Sequence, residues 1–437
     1  MRISLISLAF ILFSPLVWSA AAIETWPTTS GAKVFYVHSD DLPMVDIRLT
    51  FDAGSARDGE KFGVAALTSG LLDTGAGALD ADAIAQRFEN VGAQFSSGIS
   101  RDSAWLSVRT LTQKDLFDPA VETLQLILTQ PRFAQTDFDR EKNRTLAALK
   151  HQQASPSALA DIAFYQAVYG AHPYAHPSTG TQISVAKLSR DDLKQFYQRY
   201  YVAANAQIVI IGNLTRKQAE HTSEKLLAGL PPGHKPAAIP EVALPTQGHT
   251  EHIQFPSAQT HVMSGMPGVY RKDDDYYSLY VGNHILGGAA MVSRLFEEVR
   301  EKRGLAYSTY SYFAPMFRKG PFTMGLQTRN DQAEEALTVM NQVLQDFIDK
   351  GPTQAELEDA KKNITGGFVM RFDTNSELTS YVEMIGFYDL PLDYLDTFQD
   401  KVNAVTVASI KDAFKRRIDP KLLQTITVGG PEHDDAK

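Results

Sequence analysis

Apolar positions along this chain change period several times, and the same series of changes occurs twice. Residues 188–213 (LSRDDLKQFYQRYYVAANAQIVIIGN) align without gaps on residues 405–430 (VTVASIKDAFKRRIDPKLLQTITVGG). Each segment reads as a helix with one apolar face, a short link, and a buried strand ending in glycine. The helical stretch 138–149 matches 357–368, and each is opened by a capping sequence, Thr136 with Asp139 and Thr353 with Glu356. A third pair sets strand 105–110 against strand 323–328. All three pairs keep the same order and nearly the same separation, which chance similarity between helix–strand units does not explain. The pattern therefore predicts an α+β fold of two homologous lobes, each a mostly antiparallel sheet with a layer of helices.

Between the copies, Pro231, Pro232, Gly233 and Pro236 open a stretch that runs on through Pro245 to Gly248 and sustains neither helix nor central strand. It divides the chain into an N-terminal lobe (23–230), a linker (231–248) and a C-terminal lobe (249–437). The first residues follow another pattern: Arg2, an apolar run over 3–17, then the small residues Ser19, Ala20, Ala21 and Ala22. Charge, short apolar core and small-residue cleavage site in that order predict a signal peptide over 1–22 and export to a bacterial periplasm. A retained anchor is the alternative, but the run is short for a membrane span and ends promptly. No other stretch is apolar and long enough to cross a bilayer.

At 437 residues the chain has room for two cores that need neither disulfides nor metals to fold. Its net charge of −9 is spread without a basic block, which argues against a nucleic-acid partner. It has no cysteine, so cysteine catalysis and thiolate metal sites are excluded.

In the second lobe, Leu286-Gly287-Gly288, Ser293-Arg294-Leu295-Phe296 and the run Arg300-Glu301-Lys302-Arg303-Gly304-Leu305-Ala306-Tyr307-Ser308 resemble the C-terminal signature of the pitrilysin/insulinase metallopeptidases. Mitochondrial processing peptidase and insulin-degrading enzyme are members. Gly54-Ser55 before the first helix, His172-Pro173-Tyr174, the strand 208–212 and the lobe duplication extend the resemblance over nearly all of the mature chain.

The family's catalytic lobe carries H-x-x-E-H on a helix, and a further Glu downstream completes a zinc site. Here the equivalent helix reads GVAALTSGLL over 63–72. Ala66 and Gly70 stand at the histidine positions and Ser69 at the general base. Glu141 matches the first acid of the downstream helix, but the ligand position falls on Ala148. No histidine lies between His38 and His151, so no shift of the alignment restores the motif. The resemblance thus implies a chain without zinc or a catalytic group of its own, and with it the loss of both Lewis acid and activated water. What remains is the substrate-binding set. Arg300 is expected near the end of a helix starting about Ser293 and Tyr307 on the next strand, with a tight turn at Gly304 bringing both toward one cleft. In the family these two residues reach into the zinc-bearing lobe and hold the substrate main chain. On chemistry alone they read as a surface arginine and a half-buried strand tyrosine.

Other residues read as structural. His172 and His176 have helical spacing, but Pro173 and Pro177 place them in a loop. His249, His252 and His261 fall on a strand pair without an evident acidic partner. Tyr276, Tyr277, Tyr280 and Ile285 read as a core-facing stripe, and Glu297, Glu298 and Glu301 as a solvated face. Tyr310 and Tyr312 read as half-buried strand aromatics, with a peptide groove as the other option. No nucleophile–base set is recognisable. The resemblance implies the non-zinc, substrate-binding subunit of an exported heterodimeric zinc metalloendopeptidase, paired with a homologous H-x-x-E-H subunit that carries the zinc and acting on peptides or small extended proteins. The alternative is an inactive peptide-binding or assembly scaffold of the same fold.

Overall fold

The computed structural model describes residues 22–430, so the expected signal peptide lies almost wholly outside the described residues. The first lobe runs β1 (Glu24–Pro27), β2 (Lys33–His38), β3 (Met44–Phe51), α1 (Val64–Gly70), the two-residue strands β4 (Gly75–Ala76) and β5 (Leu79–Asp80), α2 (Ala81–Glu89), β6 (Gln94–Ile99) and β7 (Ala104–Leu111). It continues with α3 (Lys114–Thr129), α4 (Gln135–Gln152), α5 (Pro156–Tyr169), α6 (Gln182–Lys187), α7 (Arg190–Tyr200), β8 (Ala206–Gly212) and α8 (Arg216–Leu227). The second lobe repeats the plan: β9 (His249–Gln254), β10 (Ser257–Pro267), α9 (Tyr276–Asn283), β11 (Ala306–Phe313), β12 (Pro321–Arg329) and α10 (Ala333–Lys350). Then come α11 (Gln354–Gly366), α12 (Asn375–Phe387), α13 (Tyr394–Ala404), α14 (Val407–Arg417) and β13 (Gln424–Gly430).

Sheet order shows the duplication directly. The first sheet is β1-β2-β8-β3-β7-β6 and the second β9-β13-β10-β12-β11, so apart from β1 the strands correspond one to one. In each sheet a single parallel pair, β2 with β8 and β9 with β13, interrupts an otherwise antiparallel ladder. The expected histidine strand pair is corrected here: β13 lies between β9 and β10, because the closing strand of the lobe enters the sheet beside both. The paired helix–strand units are also the same locally. Ser189 opens α7 and Thr406 opens α14, each through a reciprocal capping box. Thr353 caps α11 with Glu356 as expected, but Thr136 caps nothing. Helix α4 starts a residue earlier, at Gln135, whose side-chain amide donates to Asp139 Oδ1 at 2.9 Å and occupies the acid expected to serve the cap.

Each lobe lends one helix to the other. Helix α5 lays Phe164, Tyr165 and Val168 against Met263, Ile426 and Val428 of the second sheet. In return α12 lays Val382 against Phe35, Val37, Val209 and Ile211 of the first. Burial on both sides of both sheets explains the run of fully buried residues in β8. Polar contacts reinforce the exchange. Glu383 of α12 accepts from Arg48 Nη1 at 2.5 Å and from Thr50 Oγ1 at 2.9 Å, with Arg48 and Glu383 each only 14% exposed. Asp102, 1% exposed, accepts from Tyr174 Oη at 2.6 Å within its lobe and from Tyr388 Oη at 3.0 Å and Phe317 N at 2.8 Å across the junction. The connection over 231–248 is irregular, as its prolines require, yet Ile239 and Val242 are buried in the same cluster as α5. It is a packed strap and no free tether. No described helix is long and apolar enough to cross a membrane.

Candidate functional site

Helix α1 begins without a capping side chain of its own, at Gly63 with φ 94°. The cap is supplied by Asp58, which accepts from the N–H groups of Gly63 at 2.7 Å and Ala65 at 2.9 Å. This fixes the helix over the mouth of a cavity of about 400 Å³ bounded by α1, α4 and the last residues of β6. The four substituted motif positions, Ala66, Ser69, Gly70 and Ala148, all line it together with Glu141.

The donor set does not fit a zinc ion. No imidazole reaches the cavity, and its one carboxylate, Glu141, already accepts from Arg144 Nε at 3.1 Å and from Arg144 Nη2. A guanidinium thus supplies the positive charge beside the surviving acid. Among the described residues no group of three or more His, Cys, Asp or Glu is placed to hold a metal.

The second predicted set is in the other lobe. After Arg294 and Leu295 the helix widens to π-type hydrogen bonding over Phe296–Glu301, and the chain reverses through Gly304 at φ 64°. The reversal is closed by Gly304 N donating to Arg300 O and Leu305 N to Val299 O, both at 2.9 Å. It brings Arg300 over Tyr307, with Cζ 5.2 Å from that ring centroid and 4.9 Å from that of Phe296. Strand register shifts between Ala306 and Thr309, so Tyr307 and Ser308 both face outward, and Tyr307 is 84% exposed. Strand β11 is an edge of its sheet, as β6 is of the other. No residue of the second lobe lines the cavity at α1, so Arg300 and Tyr307 do not complete that site within one chain.

The remaining candidates sort by environment. His172 Nε2 donates to Pro240 O, 3.0 Å away, and His176 stacks on Phe62 at 4.2 Å; both lie in a loop, and burial holds both imidazoles below their ordinary pKa. His252 bonds Thr427 Oγ1 at 2.9 Å, and His249 lies 3.8 Å from Glu251 of its own strand, an acidic neighbour the sequence did not suggest. Glu297 and Glu301 are exposed, and Glu298 pairs with Lys302 and Arg303, as a solvated face does. Tyr310 stacks on Tyr312 with centroids 5.9 Å apart; Tyr310 is 40% exposed and Tyr312 partly buried, as half-buried strand aromatics are. The expected core stripe is corrected in part. Ile285 is in the core and Tyr277 and Tyr280 pack against it, but Tyr276 and Tyr280 also line cavities together with Arg271 and Arg371. Sequence reading missed both arginines. Helical spacing identified the tyrosine face and gave no sign that a cavity covers it.

Comparison with known proteins gives consistent matches. Residues 33–182 match the model of insulinase (peptidase family M16), and residues 187–364 match that of the peptidase M16 inactive domain. The non-peptidase homolog YmxG of Helicobacter pylori is 28% identical over 421 residues, covering 95% of this chain and 96% of its own. The uncharacterized zinc protease YmxG of Bacillus subtilis is 24% identical, covering 82% and 86%. Among solved structures, a peptidase M16 inactive domain from Pseudomonas fluorescens superposes with a TM-score of 0.90 at 39% identity, covering 94% of this chain and 98% of that one.

Proposed function

Because the chain belongs to peptidase family M16 and its zinc-motif cavity holds no ligand set, we propose that it is the substrate-binding subunit of an exported, heterodimeric zinc metalloendopeptidase. The observation that carries this reading is the Arg300–Tyr307 pair. An arginine and an 84% exposed tyrosine, stacked beside an edge strand, are the groups a peptide main chain needs and a stable fold does not. The partner is a homologous subunit with an intact H-x-x-E-H helix, which supplies the metal. The guanidinium fork and the phenol hold a carbonyl oxygen of the substrate as it gains negative charge, and the peptide itself adds as a strand to a free sheet edge. Substrates in this reading are peptides or small extended proteins.

Copurification from the native host tests it. A tagged form of this chain should carry down a similar exported protein containing H-x-x-E-H and one zinc per heterodimer. Recovery of the tagged chain with no such partner contradicts the proposal and leaves the scaffold role.

A further inference from the structure

The cavity at α1 has a counterpart in the second lobe. In the first lobe the niche lies between α1 and the end of the edge strand β6. In the second it lies between α9 and the end of the edge strand β11, at Ser311, Tyr312 and Phe313. Here two adjoining cavities of about 470 and 320 Å³ share Arg271, Tyr276, Tyr280 and Arg371. The first niche has one acid with its own arginine; the second has two arginines and no acid among its lining residues.

Among the described residues neither arginine is paired with an acid, although Arg271 lies over the Tyr388 ring, 5.2 Å from its centroid, and Arg371 bonds phenols. Arg271 Nε is buried without a hydrogen-bond partner. Of the acids beside Arg271 in sequence, Asp274 is exposed and the other two bond other cations, with Asp273 Oδ2 buried without a partner. Asp273 pairs with Arg417 at 2.8 Å, Asp275 with Arg416 and Arg417 at 2.6 Å each, and Lys272 with Asp389 at 2.7 Å. Arg371 donates to the phenol of Tyr280, at 2.9 Å, and to that of Tyr381. Tyr276, Tyr381 and Tyr394 complete a wall of phenols, and burial raises all three above the ordinary tyrosine range, so they remain donors. Burial and the charge of Arg371 lower the pKa of His284, and the two guanidinium groups are the fixed charges of the niche. Unpaired cationic forks, phenol donors and apolar walls are what an anionic group on an organic stem requires.

We propose that this niche is an oxyanion subsite that takes the C-terminal carboxylate of a peptide extended along the free edge of β11. The strand connects the two ends of such a ligand: from Tyr307 to Phe313 is six residue steps, roughly 20 Å of extended chain. A peptide whose backbone is held near Arg300 and Tyr307 therefore delivers a carboxylate about six residues on to Arg271 and Arg371. The inference rests on the peptide-binding reading above and adds to it a selection for free carboxyl ends.

The test is binding to the full mature chain alone, so that neither partner nor hydrolysis enters. A fluorescently labelled eight-residue peptide with a free carboxylate is compared with its C-terminal amide. The acid should bind at least about tenfold more tightly than the amide. Arg371→Gln, at an exposed position, and Arg271→Gln should each bring the two within about twofold without weakening the amide. Arg271→Lys, which keeps charge and loses the fork, should retain part of the gap. Equal binding of acid and amide by the wild-type chain, or a gap that survives both glutamine variants, overturns the proposal. Competition by inorganic phosphate with no preference for the acid assigns the niche to a free anion and overturns the peptide assignment. Failure of both peptides to bind contradicts the substrate-binding reading as well, which separates the two claims.

Discussion

Arg144 Nε donates to Glu141 Oε1 at 3.1 Å in the cavity that also contains Ala66, Gly70 and Ala148, so an arginine neutralises the one acid left there. The cavity's other lining residues offer neither an imidazole nor a second carboxylate. A Cβ built on Gly70 meets nothing nearer than Glu141 Oε1 at 3.6 Å, an ordinary contact, so a larger side chain has room to enter. The wild-type chain is expected to carry no stoichiometric zinc, and Ala66→His, Gly70→His and Ala148→Glu together about one per chain, because two imidazoles and a carboxylate then share the niche. Metal analysis after dialysis checks both. Zinc in the wild-type chain at this helix, or none in the folded triple variant, contradicts the account.

The lobes are held by exchanged helices, and the Arg48–Glu383 pair is the polar contact most exposed to test. Glu383→Ala leaves Arg48, only 14% exposed, without its acid, and also removes the acceptor of Thr50. Denaturant unfolding should show a loss of roughly 3 kcal/mol. Arg48→Met with Glu383→Leu should recover much of it, since a buried pair replaced by apolar groups of similar volume is often close to neutral. A single-variant loss below about 0.5 kcal/mol would show that the junction does not depend on this contact.

Asp58 gives a pH dependence with a defined sign. Burial raises its pKa to about 7, although the N–H groups of Gly63 and Ala65 favour the charged form. An unfolded aspartate titrates near 4, so between about pH 4 and 7 the native state holds a proton that the unfolded state does not. Its contribution is complete below that window and is lost as pH rises through it, at up to about 1.4 kcal/mol per pH unit. His176, whose pKa burial lowers, works in the opposite sense near the top of the window. The comparison is therefore with Asp58→Asn, whose stability relative to wild type should improve steadily from pH 5 to 7. A constant difference would mean that Asp58 is charged throughout.

The duplication was legible because it is written locally. Ser189 and Thr406 open equivalent helices with the same capping box, and each helix leads to a strand of the same burial. For the candidate site, the linear motif named residues that lie together: Ala66, Ser69, Gly70 and Ala148 line one cavity, and Arg300 lies over Tyr307. The exchange of α5 and α12 was not legible, because the period of a helix tells which face is apolar and not which sheet covers it. For the same reason Tyr276 and Tyr280 read as core. Arg271 was hidden by Asp273 and Asp275, which look like its partners in sequence and bond Arg416 and Arg417 of α14 instead. Thr136 failed as a cap because Gln135 competes for Asp139.

Export is checked at the N-terminus. Signal peptidase cleaves after small residues, so the mature protein should begin between Ala21 and Glu24, immediately before β1. N-terminal sequencing of the periplasmic fraction decides it, and a membrane-bound form that still begins at Met1 and Arg2 would mean a retained anchor.

The central claim is that this chain places Arg300 and Tyr307 in a partner's active site, and turnover by the reconstituted pair tests it most directly. A quenched fluorescent peptide reports the rate, and gel filtration reports the complex. Arg300→Ala and Tyr307→Phe should leave the heterodimer intact and lower kcat by about 100-fold or more, the usual effect of removing one donor to a developing oxyanion. Arg300→Lys should also be impaired, because it keeps the charge and loses the planar fork. Unchanged rates in all three variants, with complex formation intact, would contradict the account and leave this subunit without a part in turnover.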